Sequence, residues 1–348
     1  MYIKLNSKGE RSNAMRIARL KLKTAATYHV MSRTLEGRFF LGNDEKGFLS
    51  NLMRRMETFS GCEVRTYTLM DNHFHILLHV PKTRLVDDDE VRWRVRMLYG
   101  EEKYAQFEKN WQAWIEQGQE SRIVEQLDAF RARMYDLSEF MKTFKQRFTV
   151  FYNANNQHQG PAWWGRYKSV LIQEDTHAQQ LVAAYIDLNP VRAGKANDPK
   201  DYRWSGYGEA VANIRESRRN LCKLFIDSDI SEQEVLTEYR KLLYLQGETQ
   251  VNPLTGEQIR AGISRAAVEK VLENDGELSL CEVLRCKVRY FSDGGVIGSA
   301  AFVKEVLQEY KGHFCPQIRC GGAKPMKYSD WGDLCVAKKL RRTIISRV

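Results

Sequence analysis

His73-Phe74-His75 is the segment of this 348-residue chain best equipped for chemistry. Side chains two apart on a β-strand share a face, so both imidazoles can address one cation while Phe74 turns into a core. A second group lies far along the chain. Tyr185 and Asn189 are four apart and stack on one face of a helix. Two imidazoles and an amide oxygen can hold a divalent cation, and a phenol beside it is a nucleophile next to a Lewis acid. The cation would neutralise and orient a scissile phosphate while the phenolate attacks in line. The product, a phosphotyrosine ester, retains the bond energy, so strand rejoining needs no ATP. The chain carries neither a Walker A sequence nor G-x-G-x-x-G. Each part also has an ordinary reading: H-x-H as polar decoration of a strand, and Tyr185 as an aromatic packed between helix and sheet. His79 falls on the same strand face, as a replacement ligand or a spectator, and His29 on the first strand is a further neighbour. Two imidazoles suit Mn²⁺ or Zn²⁺ at least as well as Mg²⁺, which leaves the metal open.

The elements that must position these groups can be read from periodicity. Thr27–Arg33 reads as a strand ended by Leu35-Glu36-Gly37, and Asp44–Thr58 as a helix with Phe48, Leu49, Leu52 and Met53 on its apolar side. Val64–Met70 and His73–Val80 form a hairpin across Asp71-Asn72. Strand, helix, strand, strand opens a ferredoxin-like βαββαβ sheet. A charged helical insertion rich in Trp and Tyr follows (about Asp87–Arg133), and a helix over Leu137–Asn153 restores the order. A strand lies within Pro161–Ile172. The helix Thr176–Asn189 starts at Glu174, Asp175 and Thr176 and is stopped by Pro190. Beyond Tyr207 the pattern is all-helical, with helices over Ser231–Leu245, Thr255–Leu272, Ser279–Tyr290 and Ser299–Tyr310. The turn Phe291–Gly295 makes this part a helix-turn-helix module or a plain bundle. The expected fold class is α+β: a ferredoxin-like domain over residues 27–212 with an insertion at about 84–135, a basic arm over 1–26, and an all-helical C-terminal region over 213–348.

Lys and Arg number 54 against 44 Asp and Glu, giving a formal charge of +10. Such a chain attracts polyanions, of which nucleic acid is the commonest in a cell. The excess gathers at Lys4, Lys8, Arg11, Arg16, Arg19, Lys21 and Lys23, and again at Lys338, Lys339, Arg341, Arg342 and Arg347. Composition, 43% hydrophobic and 28% charged, excludes pervasive disorder. No stretch approaches the length of a membrane span, and Met1–Lys23 lacks the apolar core of a secretory signal, so a cytoplasmic, nucleoid-associated protein is expected. Seven widely spread cysteines read as reduced thiols.

Tyr28-His29-Val30-Met31-Ser32-Arg33 and Met70-Asp71-Asn72-His73-Phe74-His75-Ile76-Leu77-Leu78 resemble the opening motifs of the single-tyrosine HUH transposases. Gly165-Arg166-Tyr167-Lys168-Ser169 and the run from Tyr185 through Asn189-Pro190-Val191-Arg192 to Gly194 continue the resemblance, which is closest to the REP-associated tyrosine transposases. It spans about Thr27–Tyr207. It implies a metal-dependent endonuclease and strand transferase acting on single-stranded, hairpin-forming DNA, which leaves a 5′-phosphotyrosine and a free 3′-OH. His73 and His75 then become ligands of Mg²⁺ or Mn²⁺, Asn189 the third ligand where some members use Gln, and Tyr185 the nucleophile. Arg33, Arg166, Lys168 and Arg192 are candidate phosphate contacts. Trp164 and Tyr167 are candidate platforms for unpaired bases, since strand alternation buries one of Trp163 and Trp164. One departure stands out: Asp71 occupies the place of the family's usual proline, close enough to touch a ligand or DNA. Family members act as dimers or as monomers, so oligomeric state does not transfer. Alternatives are a domesticated hairpin-DNA-binding protein that does not cleave, and a replication or mobilisation relaxase.

Overall fold

The computed structural model describes residues 20–225, 230–244, 250–251, 258–260, 280–311, 322–337 and 345–346. Its strands are β1 Ala26–Arg33, β2 Glu63–Leu69, β3 His73–Val80, β4 Lys168–Ile172, β5 Gln250–Val251, β6 Gln258–Arg260, β7 Lys287–Val288, β8 Val296–Ser299, β9 Lys324–Pro325, β10 Leu334–Val336 and β11 Ile345–Ser346. Seven of them form one sheet in the order β2-β3-β1-β4-β8-β10-β9, making the chain a mixed α+β protein. Neighbours among the first four are antiparallel, whereas β8 joins β4 in parallel through Leu171↔Val296 and Ile172↔Ile297.

This sheet corrects the expectation of an all-helical region after residue 212. The strands there are two to four residues long and interrupt helical patterns too briefly to show a period of their own. The helix-turn-helix reading goes with it. Phe291–Gly295 does not join two helices: the helix Arg289–Asp293 leads through Gly294 and Gly295 into β8, and helix Ala300–Glu309 follows that strand. The expected helix Thr255–Leu272 and both terminal runs of basic residues lie almost wholly outside the described residues.

The helices that matter here are α1 Asn43–Ser60, α2 Asp88–Tyr99, α3 Glu101–Glu116, α4 Ser121–Arg131, α5 Leu137–Asn155, α6 Thr176–Asp187, α7 Asn189–Arg192, α8 Gly206–Val211, α9 Arg215–Cys222 and α10 Glu232–Tyr244. Among the described residues, no helix is long and apolar enough to cross a membrane. The charged stretch at about Asp87–Arg133, expected to be helical, forms α2–α4.

Strand alternation divides the sheet between two cores. Phe74, Ile76 and Leu78 of β3, with Tyr28 and Val30 of β1, bury against Leu49, Leu52, Met53 and Met56 of α1 and Phe140, Phe144 and Phe148 of α5. Leu77, Met31, Val170 and Ile172 face the opposite way, against Leu181, Val182 and Ile186 of α6. A register shift between Val64 and Thr66 changes the phase of β2, so that Thr66 and Thr68 point toward α6. Thr68 Oγ1 then donates to the Ile186 carbonyl at 2.9 Å, fixing how α6 lies on the sheet.

A buried carboxyl reinforces that placement. Asp187, at the end of α6, accepts from Thr66 Oγ1 (2.9 Å), the Tyr207 amide (3.2 Å) and the Tyr239 hydroxyl (2.6 Å). Burial pushes its pKa up to about 7, against the opposing pull of these donors. Tyr239→Phe leaves the carboxyl one donor short and should cost about 1–3 kcal/mol, read as a lowered denaturation midpoint. Because the folded carboxyl holds its proton more tightly than the unfolded one, its contribution is full below the unfolded carboxylate range and falls as pH rises through about 7. Denaturant titrations should therefore show the stability margin of wild type over Asp187→Asn shrinking across that window.

Candidate active site

His73 and His75 open β3, directly after the tight turn closed by the Met70 amide donating to the His73 carbonyl at 2.8 Å. Their side chains take the α6 face of the sheet, and α6 carries Tyr185. The rings of His73 and His75 are 5.2 Å apart between centroids, and Tyr185 lies 6.3 Å from His75 and 6.2 Å from His29. The structure thus gathers His29, His73, His75 and Tyr185 in one place. His79, six positions along β3 and so about 20 Å from His73 by strand rise, is a spectator. It contacts Thr27 and Glu174 instead, at 3.1 and 3.2 Å.

Hydrogen-bond partners fix the tautomers of these imidazoles. The Phe291 carbonyl can only accept, so His29 Nδ1, 2.8 Å away, carries a proton and its Nε2 is bare. That bare nitrogen lies 2.8 Å from His75 Nδ1, which must then be the donor. His75 Nε2 is left with a lone pair. The Asn72 amide is oriented by Nδ2 donating to the Gly37 carbonyl at 3.0 Å, which turns Oδ1 toward His73 Nδ1 at 2.7 Å. His73 Nδ1 is therefore protonated as well, and its Nε2 also keeps a lone pair. Burial, with Arg33 nearby, pulls His73 down to about 4, burial pulls His29 down to about 4, and burial beside His29 and His73 holds His75 well below the usual imidazole range. Near neutral pH all three are neutral, as a ligand imidazole must be.

Tyr185 is only 4% exposed. Its ring packs 4.7 Å from Phe291, and the Arg192 guanidinium sits 4.0 Å above its centroid. Burial raises the phenol's pKa, and Arg192 opposes the rise. Asn189 is also buried and begins α7. Here Pro190 does not act as a stop. Helix α6 ends at Asp187, and Pro190 occupies the first turn of α7, where a missing N–H costs nothing.

The expected polyanion contacts divide. Arg33, paired with His73 across the β1–β3 ladder, is exposed, and so is Arg166. Trp164 is 59% exposed while Trp163 is buried, and the Trp164 amide donates to the Arg33 carbonyl at 2.9 Å. Lys168 is exposed but paired with Asp293 at 2.9 Å. Tyr167 corrects the expectation: it is 7% exposed in the core beside α5 and has no open face for a base. Arg192 donates to the carbonyls of Tyr185 (2.6 Å) and Leu284 (2.8 Å), so it braces the site more than it presents charge to solvent. Asp71 is likewise occupied. Burial opposes its ionisation, but Lys195 and Lys46, each at 2.6 Å, outweigh it and hold the carboxyl below its usual range.

Two participants escape a reading of sequence alone. Phe291 and the donor–acceptor role of His29 have no local signal, because the two residues lie 262 positions apart.

Among the described residues no cluster of three or more His, Cys, Asp or Glu is placed to hold a metal ion. The expected set contains only two such residues, and its third member is an amide. Two neutral imidazoles with unused Nε2 lone pairs, and an amide on the adjoining helix, fit a divalent cation by donor chemistry.

No family model matches the chain, and neither does any curated protein. Among solved structures, that of a REP-associated tyrosine transposase bound to a REP hairpin is similar over 57% of this chain and 86% of its own, with a TM-score of 0.34 and 15% identity. Likeness at that level is weak and carries no argument about chemistry.

Proposed function

We propose that this chain is a metal-dependent single-stranded DNA endonuclease and strand transferase of the single-tyrosine HUH type, a transposase acting at hairpin-forming DNA. In this reading β1, α1, β2, β3, α5 and β4 form a ferredoxin-like HUH domain. The convergence of two neutral imidazoles with a tyrosine from a distant helix carries the proposal. A divalent cation, Mg²⁺ or Mn²⁺, would be held by His73 and His75 through Nε2 and by Asn189 through its side-chain oxygen. Bound there, it would supply charge neutralisation at the scissile phosphate.

The chain's own groups do the rest. Tyr185 loses its phenolic proton and its oxygen bonds to phosphorus. The bond to the 3′ oxygen breaks, and that oxygen takes up a proton to leave as a 3′-OH, with the 5′ phosphate esterified to Tyr185. Arg192, above the ring, favours the phenolate against the cost of burial. Exposed Arg33 and Arg166 suit a phosphate backbone, and exposed Trp164 suits an unpaired base. A second reading, binding of hairpin DNA without cleavage, is favoured by one observation: at 4% exposure Tyr185 is shielded from a large substrate.

Purified protein incubated with Mn²⁺ and labelled single-stranded hairpins from the DNA flanking its own gene should form a covalent adduct. Tyr185→Phe should abolish that adduct. His73→Ala should also abolish it while hairpin affinity stays close to wild type, since backbone charge dominates binding. Tight binding with no adduct from any flanking strand would select the second reading. Trp164→Ala should weaken single-strand binding by about 1–3 kcal/mol, roughly 5- to 150-fold in Kd by fluorescence anisotropy.

A further inference from the structure

We propose that His29 is a positioning residue that locks His75 into the tautomer with its Nε2 lone pair facing the site, through a hydrogen-bond chain anchored on the Phe291 carbonyl. The inference deepens the reading of the site given above and rests on it for the use to which that lone pair is put.

A neutral imidazole has one proton to place, and in water it favours Nε2. A ligand that must coordinate through Nε2 therefore needs something to hold the proton on Nδ1. On strand β3 no side-chain neighbour is that holder: Phe74 and Ile76 turn into the other core, Leu77 has no polar atom, and His73 Nδ1 is engaged by Asn72. The holder comes from β1, where His29 is completely buried with its Nε2 2.8 Å from His75 Nδ1. His29 is itself ambivalent: were its own proton on Nε2, it would oppose His75 instead of accepting from it. The Phe291 carbonyl, 2.8 Å from His29 Nδ1, removes that freedom, since an oxygen acceptor admits only one arrangement. Carbonyl, His29 and His75 then have a single consistent proton pattern.

The same pattern excludes His29 as a ligand, because its only lone pair is spent on His75. It also makes the helix Arg289–Asp293, far outside the segment that bears the motifs, a structural part of the site. His73 receives the equivalent service from Asn72, held by Gly37. The two histidines thus have separate supports, one a local amide and the other a relay to the distant end of the chain.

Two readouts test this on the full-length protein labelled with ¹⁵N-histidine. In the metal-free state, nitrogen chemical shifts should show His75, assigned by the signal missing in His75→Gln, protonated on Nδ1. His29→Leu should return it to the Nε2-protonated form. His29→Gln, whose amide can accept from His75 and donate to Phe291, should restore the Nδ1 form. Calorimetric titration with Mn²⁺ alone should show affinity about 10- to 100-fold weaker in His29→Leu and close to wild type in His29→Gln. Nε2-protonated His75 in wild type, or an Nδ1 form that survives His29→Leu, would overturn the proposal whatever the metal does. Wild-type protein showing the expected tautomer but binding no Mn²⁺ supports the lock and overturns the metal reading instead.

Discussion

Polar groups sealed between a sheet and a helix must find partners there, since water cannot supply them, and this constraint organises the α6 side of the molecule. Thr66, Thr68, His29, His75 and Asp187 all sit in that layer, where burial without a partner costs several kcal/mol. Each is answered by a specific atom: Asp187 by Thr66, Tyr207 and Tyr239, the Ile186 carbonyl by Thr68, and the two imidazoles by one another and by Phe291. These pairings leave α6 little freedom to slide or rotate. Tyr185 rides on that helix, so its approach to the histidines depends on pairings made elsewhere, those of Asp187 with Thr66, Tyr207 and Tyr239 and of Thr68 with the Ile186 carbonyl.

The opposite face works by a different principle. Phe74, Ile76 and Leu78 contribute only apolar burial, and the aromatic residues of α5 and the aliphatic ones of α1 close over them. One strand therefore divides its labour residue by residue, with alternate positions anchoring it in an oily layer and addressing a polar one. The Asp71 turn is held at its outer end by two lysines, Lys46 from α1 and Lys195 from the loop after α7. Asp71 thus ties the hairpin to both flanking elements by charge.

How much of this was legible in the sequence depended on the range of each interaction. His73–Val80 was readable to the residue because period-two alternation begins at a turn and ends before a proline, and both signals are local. Trp163 and Trp164 do split into one buried and one exposed ring, but both precede β4 in an irregular stretch, where Trp163 is held by a bridge to Thr34. Tyr167 lies in the same stretch, where alternation gives no direction, and is buried. The strands β8, β9 and β10 are invisible because two to four residues cannot display a period; they exist because β4 supplies an edge to pair with and the helix Ala300–Glu309 packs against β8 and β10. In the sequence His29 reads only as a neighbour. Its significance required a carbonyl contributed by a helix near the other end of the chain.

The parallel pairing of β8 with β4 has a bearing on assembly. Were the sheet to end at β4, that strand would present a row of unsatisfied amides and carbonyls to which a second copy could add its own. Here the chain pairs Leu171 and Ile172 of that strand with its own β8 and carries the sheet on to β9, only two residues long and with Pro325, which has no N–H to offer. At Leu171 and Ile172, therefore, a second copy cannot add a strand to β4, because the chain's own β8 already holds that stretch of edge.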